Sequence, residues 1–143
     1  MMYRLALALL SVTLIAAPAA AQNENCPGQD VIYVPTPQDV VDAMLEMAKV
    51  TGRDVVYDLG SGDGRIPITA AKTYGARATG IDICDLRIKE ANATLKSANV
   101  ADKVTFLQQD LFKTDISEAT VVTMYLLPTL NVRLIPKLNK ELK

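Results

Sequence analysis

Short apolar segments alternate with longer amphipathic segments along most of the chain. The short segments are rich in β-branched residues and bounded by glycine or charged residues, which is typical of buried strands. They cover residues 55–58, 76–83, 103–109 and 119–124. The longer segments repeat apolar residues every three or four positions, which predicts helices over residues 37–49, 65–74, 86–98 and 131–142. We therefore expect a helix followed by β-α-β-α-β-α-β-α, an α/β fold with a doubly wound parallel sheet.

Single residues predict where these helices begin and end, and which of their side chains point towards the core. Thr36 is placed to cap the first helix, and Gly75 to end the second. In the third helix the apolar spacing turns Leu86 inward and Arg87 towards solvent. Pro136 should interrupt or kink the last helix, because proline lacks the N–H donor and clashes with the preceding turn.

A glycine-rich loop follows the first strand, which ends in Asp58. The loop consists of Gly60, Ser61, Gly62, Asp63 and Gly64. Alternating glycines let a backbone approach a ligand closely, and the helix that follows points its free N–H groups at the loop. A dinucleotide fingerprint would need a third glycine where Arg65 stands, and no Gly-Lys-Ser/Thr of a P-loop follows. The segment predicts a small-molecule site, with an ordinary tight turn as the alternative.

Polar residues also follow the other predicted strands. Asp82 lies 20 residues after Gly62, where an acid can accept hydrogen bonds from a ribose diol. Its alternative role is a helix N-cap, which Asp85 could fill equally well. Asp110 and Tyr125 directly follow the third and fourth strands. Because ligands of such sheets bind outside the carboxyl ends of the strands, these residues should meet at one rim.

Composition narrows the classes of function. The chain of 143 residues is long enough for one domain, and its net charge of −1 without a basic block does not favour a nucleic-acid partner. The chain contains no histidine, which excludes His-based acid–base catalysis and imidazole metal ligands, and we predict no metal site. Cys26 and Cys84 could pair in an oxidising compartment, but we expect free thiols because one lies in the lead and the other beside the site.

The N-terminal segment has the pattern of a secretory signal over residues 1–21. Its basic start is followed by an apolar run, residues 5–17, and then by a small-residue cleavage pattern. The run is shorter than the ~20 residues that a membrane span requires. We expect an irregular lead at 22–34, a domain at 35–143, and export to the periplasm. The alternative is an uncleaved membrane anchor with the domain in the cytoplasm.

The motif D-x-G-x-G-x-G resembles the first motif of class I S-adenosylmethionine (SAM) methyltransferases, which have a Rossmann-like fold. Beyond it, the chain resembles a narrower group, the protein-lysine methyltransferases of the mitochondrial ATP synthase c-subunit and the adenine nucleotide translocase, with their bacterial relatives. The residues that carry this resemblance are 33–37 (YVPTP), 56–65 (VYDLGSGDGR), 80–82 (GID), 109–112 (QDLF) and 125–128 (YLLP).

The resemblance implies SAM as cofactor and a protein lysine as acceptor, with a membrane protein as one candidate. The residues implied to bind SAM are Thr36, Asp58, Gly60, Ser61, Gly62, Gly64, Asp82 and Asp110. Within this set, Thr36 would lie near the methionyl carboxylate and Asp110 near the adenine amino group. Residues 125–128 would line the channel of the acceptor amine, and Tyr125 would orient that amine.

The resemblance also implies seven strands, of which the pattern contains four. We therefore expect a domain that lacks its C-terminal strands and leaves the fourth strand as an open edge. Two alternatives to an active methyltransferase remain: an inactive or truncated SAM-binding remnant, and a different nucleotide-dependent enzyme such as a dehydrogenase. Arg65 in place of the third glycine counts against the dehydrogenase.

Overall fold

The structure is a computed structural model that describes residues 26–28 and 32–142. The predicted signal sequence, residues 1–21, lies outside the described residues, as does most of the predicted lead. The strands are β1 (Val55–Leu59), β2 (Arg77–Asp82), β3 (Val104–Gln108) and β4 (Val121–Thr123). They form one parallel sheet in the order β3-β2-β1-β4. The predicted doubly wound α/β fold is confirmed, with β4 at one edge of the described sheet.

The helices are α1 (Gln38–Met47), α2 (Arg65–Tyr74), α3 (Asp85–Ala98) and α4 (Pro128–Glu141). The helix that strict alternation required between β3 and β4 is absent from the described residues, so that part of the prediction is wrong. Turns replace it, because the carboxylates of Asp110 and Asp115 each accept a hydrogen bond from the backbone N–H two residues further on, at 2.9 Å. Such local bonds favour turns over helix.

Apolar residues cover both faces of the sheet, as alternation along the strands requires. Val56, Ala78 and Val104 are paired across β1, β2 and β3, and they pack with α1, α2 and α3. Leu59 and Ile81 project from the opposite face, where they contact residues of the 111–116 segment and of α4. The sheet therefore lies between these two apolar layers.

Three local predictions about helices are wrong. Thr36 does not cap α1, since Pro37 holds the N-cap position without a side-chain hydrogen bond. Helix α4 runs through Pro136, so the predicted interruption is wrong, while a kink there stays a prediction. The proline costs the helix one hydrogen bond, to the carbonyl of Val132, and Val132 is itself 64% exposed. Arg87 was expected to face solvent and Leu86 the core, but Arg87 is 5% exposed and Leu86 37%. Arg87 is buried because the ring of Tyr33 covers its guanidinium group, with 4.2 Å between the guanidinium carbon and the ring centre.

The two cysteines form a disulfide between the lead and the start of α3. The Cα atoms of Cys26 and Cys84 are 5.1 Å apart, so the expectation of free thiols is wrong. The lead runs beside the end of β2, where Gly28 packs against the side chain of Ile83. The two cysteines are 58 positions apart in the sequence, and only the folded chain brings their sulfur atoms together. Within the described residues no helix has the length and apolarity needed to cross a bilayer.

Candidate active site

A pocket of about 260 Å³ opens at the carboxyl ends of the strands. It lies near β1, where the strand order reverses: β2 and β3 lie on one side of β1 and β4 on the other. This is the place where ligands of doubly wound sheets bind. Most of the predicted site residues line it: Thr36, Asp58, Gly60, Ser61, Gly62, Asp82, Asp110 and Tyr125. Gly64 does not. It is the N-cap of α2, and its Cα faces the ring of Phe106 and the side chain of Ala91.

The end of β2 holds the glycine loop in place. The backbone N–H groups of Gly60 and Ser61 both donate to the carbonyl of Ile81, at 2.8 and 2.9 Å. The N–H of Gly62 donates to Oδ2 of Asp82 at 2.9 Å, and Oδ1 of the same carboxylate accepts from the N–H of Cys84. A carboxylate has about four lone-pair sites, so Asp82 keeps acceptor capacity for a ligand.

Side chains lie so close over two of the loop glycines that no Cβ would fit. A Cβ on Gly62, which has φ 52°, would lie 2.4 Å from the ring of Tyr33. A Cβ on Gly60, which has φ 82°, would lie 2.6 Å from the side chain of Leu126. The loop therefore forms a narrow cradle between two pocket walls, which fits the close backbone contact that a cofactor needs.

Asp58 is a buried carboxylate at the base of the pocket, 1% exposed. Burial raises its pKa, the hydrogen bond from the Thr123 hydroxyl at 2.7 Å lowers it, and the charge of Asp82 raises it again, to about 7. A cationic ligand beside Asp58 would favour its charged form. The hydroxyl of Ser61, also at the pocket, is buried and has no hydrogen-bond partner in the described part of the chain. Both groups fit a cofactor that carries positive charge and polar atoms.

The opposite side of the pocket is built by the turn after β3 and by α4. The carboxylate of Asp110 accepts the N–H of Phe112, and its other oxygen lies 3.5 Å from Nζ of Lys113. The guanidinium of Arg133, from α4, stacks over the ring of Phe112 at 4.4 Å. Asp110 thus shapes this wall and also lines the pocket, and its contact with adenine stays a prediction.

Several lining residues were missed from the sequence. Tyr33, Asp63 and Arg65 form a connected polar group at the mouth of the loop, and Phe112 and Arg133 form the stacked pair. Asp63 lies inside the glycine motif and Arg65 directly follows it, so their positions in the sequence could have indicated a role at the site. Arg133 had no such signal, because only packing of α4 against the 111–116 segment brings it to the pocket. No group of three or more Cys, Asp or Glu residues in the described ranges could hold a metal ion.

The profile of the ANTKMT methyltransferase domain matches residues 58–143, more than half of the chain. The chain belongs to the ANTKMT methyltransferase family. This assignment confirms the predicted enzyme class and the resemblance to SAM-dependent protein-lysine methyltransferases. SAM is accordingly the methyl donor that the pocket has to accommodate.

Curated relatives of this ANTKMT-family chain are named for lysine methylation. A protein-lysine N-methyltransferase of Saccharolobus islandicus is 54% identical over 114 residues, which cover 79% of this chain and 71% of the relative. A Homo sapiens protein, named as a lysine N-methyltransferase of the ATP synthase c-subunit, is 28% identical over 138 residues, which cover 94% of this chain and 58% of the relative. The chain thus spans little more than half of the human protein.

A solved structure is similar to the ANTKMT-family chain in both sequence and fold. It is described as an RNA methyltransferase from Salinibacter ruber in complex with S-adenosyl-L-homocysteine, with 59% identity and a TM-score of 0.76. The match covers 77% of this chain and 72% of that one. The match confirms the Rossmann-like fold class, while the individual site residues remain predictions.

Proposed function

We propose that this chain is a protein-lysine N-methyltransferase that binds SAM across the ends of its four strands. The observation that carries the proposal is the convergence of Asp58, Asp82, Asp110 and the glycine loop on a single pocket at the point where the sheet winding reverses. The names of the Saccharolobus and human relatives support lysine as the acceptor.

Each part of the pocket has a role in holding the cofactor. The glycine loop and Thr36 would hold the methionyl end, with Asp58 supplying negative charge beside it. Asp82 would accept from the ribose hydroxyls through its remaining lone pairs, and Asp110 from the adenine amino group. These acceptors come from three strand ends, so the sheet itself sets the distances between them.

The acceptor side of the pocket is apolar. When bound, SAM supplies a methyl group on a sulfonium, an electrophile whose positive charge also favours the neutral form of a nearby lysine amine. Tyr125, 45% exposed, together with Leu126 and Leu130, lines the pocket where that amine would enter. These side chains would align the amine for in-line displacement and exclude water. No general base is required, since the amine can release its proton to solvent, which suits a chain without histidine.

Calorimetric titration of SAM into the purified chain tests the site, with NAD as the control ligand. We expect SAM to bind and NAD not to bind. Asp58→Ala removes the buried negative charge, and Gly62→Val forces Tyr33 out of its place, so each should weaken SAM binding by at least tenfold. Binding of NAD without binding of SAM would instead support a dehydrogenase.

Incubation with methyl-labelled SAM tests the acceptor. Extracts of membrane proteins, of water-soluble proteins and of RNA are treated in parallel, because the 59% identical Salinibacter protein is described as an RNA methyltransferase. Label on lysine supports the proposal, and label in the membrane fraction alone would add that the acceptor is a membrane protein. Label on RNA would reassign the substrate, although the net charge of −1 does not favour it. SAM binding without any labelled product would support the alternative that the chain is an inactive SAM-binding remnant.

We also propose export through the N-terminal signal. The disulfide between Cys26 and Cys84 supports this, because such bonds persist mainly in oxidising compartments. An exported protein, isolated in the presence of a thiol-blocking reagent, should begin at Gln22 and show no blocked cysteine. A chain that keeps its N-terminal methionine, fractionates with membranes and carries two blocked cysteines would instead be anchored with its domain in the cytoplasm, where SAM is available.

A further inference from the structure

One wall of the pocket is an extended segment that precedes α1. We call residues 32–36 the strap. All of its residues line the pocket, and they differ sharply in exposure. Ile32 and Val34 are 85% and 56% exposed, whereas Thr36 is 6% exposed. No strand of the described sheet pairs with the strap, so side chains must hold it over the glycine loop.

Asp63 of the glycine loop and Arg65, the first residue of α2, supply two of those contacts. The carboxylate of Asp63 interacts with the hydroxyl of Tyr33 near the start of the strap: burial raises the pKa of that hydroxyl, and the charge of Asp63 raises it further. Nη1 of Arg65 donates to the backbone carbonyl of Thr36 at the end of the strap, at 2.8 Å. The strap is therefore fastened at both ends by residues that flank Gly64.

Asp63 and Arg65 are also paired with each other. Nε of Arg65 donates to both carboxylate oxygens of Asp63, at 3.0 and 3.1 Å, and Nη2 donates to Oδ2. Burial would raise the pKa of Asp63, but the hydrogen bonds and charge of Arg65 outweigh it and hold that pKa below its usual value. The carboxylate is thus charged at neutral pH and can accept from Tyr33. Only a planar guanidinium can bind a carboxylate and a separate carbonyl in this way.

We propose that the Asp63–Arg65 pair is a positioning device that holds the strap against the glycine loop, so that the strap forms a wall of the SAM site. Neither residue is assigned to touch the reacting atoms. The simpler alternative is a half-exposed ion pair, with side chains 26% and 32% exposed, and such pairs contribute little to stability. The contact that separates the two views is the bond from Arg65 to Thr36, 29 positions earlier in the chain.

The variant that tests the device is Arg65→Met, which keeps most of the side-chain volume but removes the donors. We expect its dissociation constant and KM for SAM to rise by about tenfold, as loss of a charged hydrogen bond would predict, while kcat at saturating SAM changes less than about twofold. Its melting temperature without ligand should fall by no more than about 5 °C. Arg53→Met, an exposed arginine outside the pocket, should match the original chain.

A second variant separates strap positioning from simple charge. Arg65→Lys keeps a positive charge beside Asp63, but one ammonium cannot reproduce the fork that also reaches Thr36, so we expect it to lose SAM affinity like Arg65→Met. Full recovery of SAM affinity in Arg65→Lys, or unchanged affinity in Arg65→Met, would overturn the proposal.

The inference rests on the proposed SAM site, so one measurement has to report on the strap in the absence of SAM. Cleavage of the strap by a protease of broad specificity, used at low concentration without SAM, should be about tenfold faster in Arg65→Met, because the strap would leave the glycine loop more often. If the original chain fails to bind SAM, the proposed function fails, and faster strap cleavage would still support the Asp63–Arg65 device. Unchanged cleavage in Arg65→Met would refute the device whether or not SAM binds.

Discussion

Replacement of Gly64 by alanine is expected to lower the free energy of unfolding by about 3 kcal/mol or more, although this residue does not line the pocket. The backbone at Gly64 has φ 81°, in the left-handed region that costs other residues roughly 1–2 kcal/mol. The added Cβ would also lie 2.3 Å from the Phe106 ring and 2.9 Å from the Cβ of Ala91. Overpacking of this kind costs about 1–3 kcal/mol.

Urea unfolding of Gly64→Ala measures this loss of free energy, with Gly52→Ala as the control variant. Gly52 lies between α1 and β1, its φ is not left-handed, and its nearest contact to an added Cβ is 3.3 Å. Its substitution should cost far less. Equal shifts of the unfolding midpoint for the two variants would mean that the close packing of α2 against α3 and β3 does not depend on Gly64.

Asp58→Asn is expected to stabilise the protein at alkaline pH. The pKa of Asp58 is about 7 in the folded protein, against an ordinary value of 3.8, so the folded state binds more protons than the unfolded state between these two values. Stability from this group is complete below pH 3.8 and is lost as the pH rises through 7. The two pH units between 5 and 7 correspond to about 3 kcal/mol.

The stability difference between Asp58→Asn and the original chain should therefore shift by about 3 kcal/mol in favour of the variant between pH 5 and pH 8. Chemical unfolding at the two pH values measures it. Asp54→Asn is the control, because hydrogen bonds from Thr120 and Thr51 hold the pKa of Asp54 below its usual value, outside this range. A difference that is independent of pH would show that Asp58 does not titrate there.

The same variant should bind SAM more weakly at pH 8, since it lacks the negative charge that faces the cofactor. A gain in stability together with a loss of ligand affinity is typical of a charge that is kept for function. If Asp58→Asn bound SAM as well as the original chain does, the buried carboxylate would have no part in the site.

Helix α2 shows how far local sequence can predict structure. Its predicted bounds, 65–74, agree with the structure because a glycine stands at each end in the left-handed conformation. Helix α4 begins at Pro128, earlier than its apolar spacing predicts, because proline is tolerated in the first turn. The glycines at both ends of α2 could be used for prediction, whereas the apolar spacing used for α4 passed over the proline that begins it.

By itself the sequence determined the parallel sheet, the glycine loop and the acids at the strand ends, because apolar period, glycine and chain order are local properties. Tertiary structure alone decided that Cys26 bonds Cys84, that Arg87 lies beneath Tyr33, and that Arg65 reaches back to Thr36. Each of these contacts joins residues that are far apart in the chain, and spacing along a sequence carries no information on such distances.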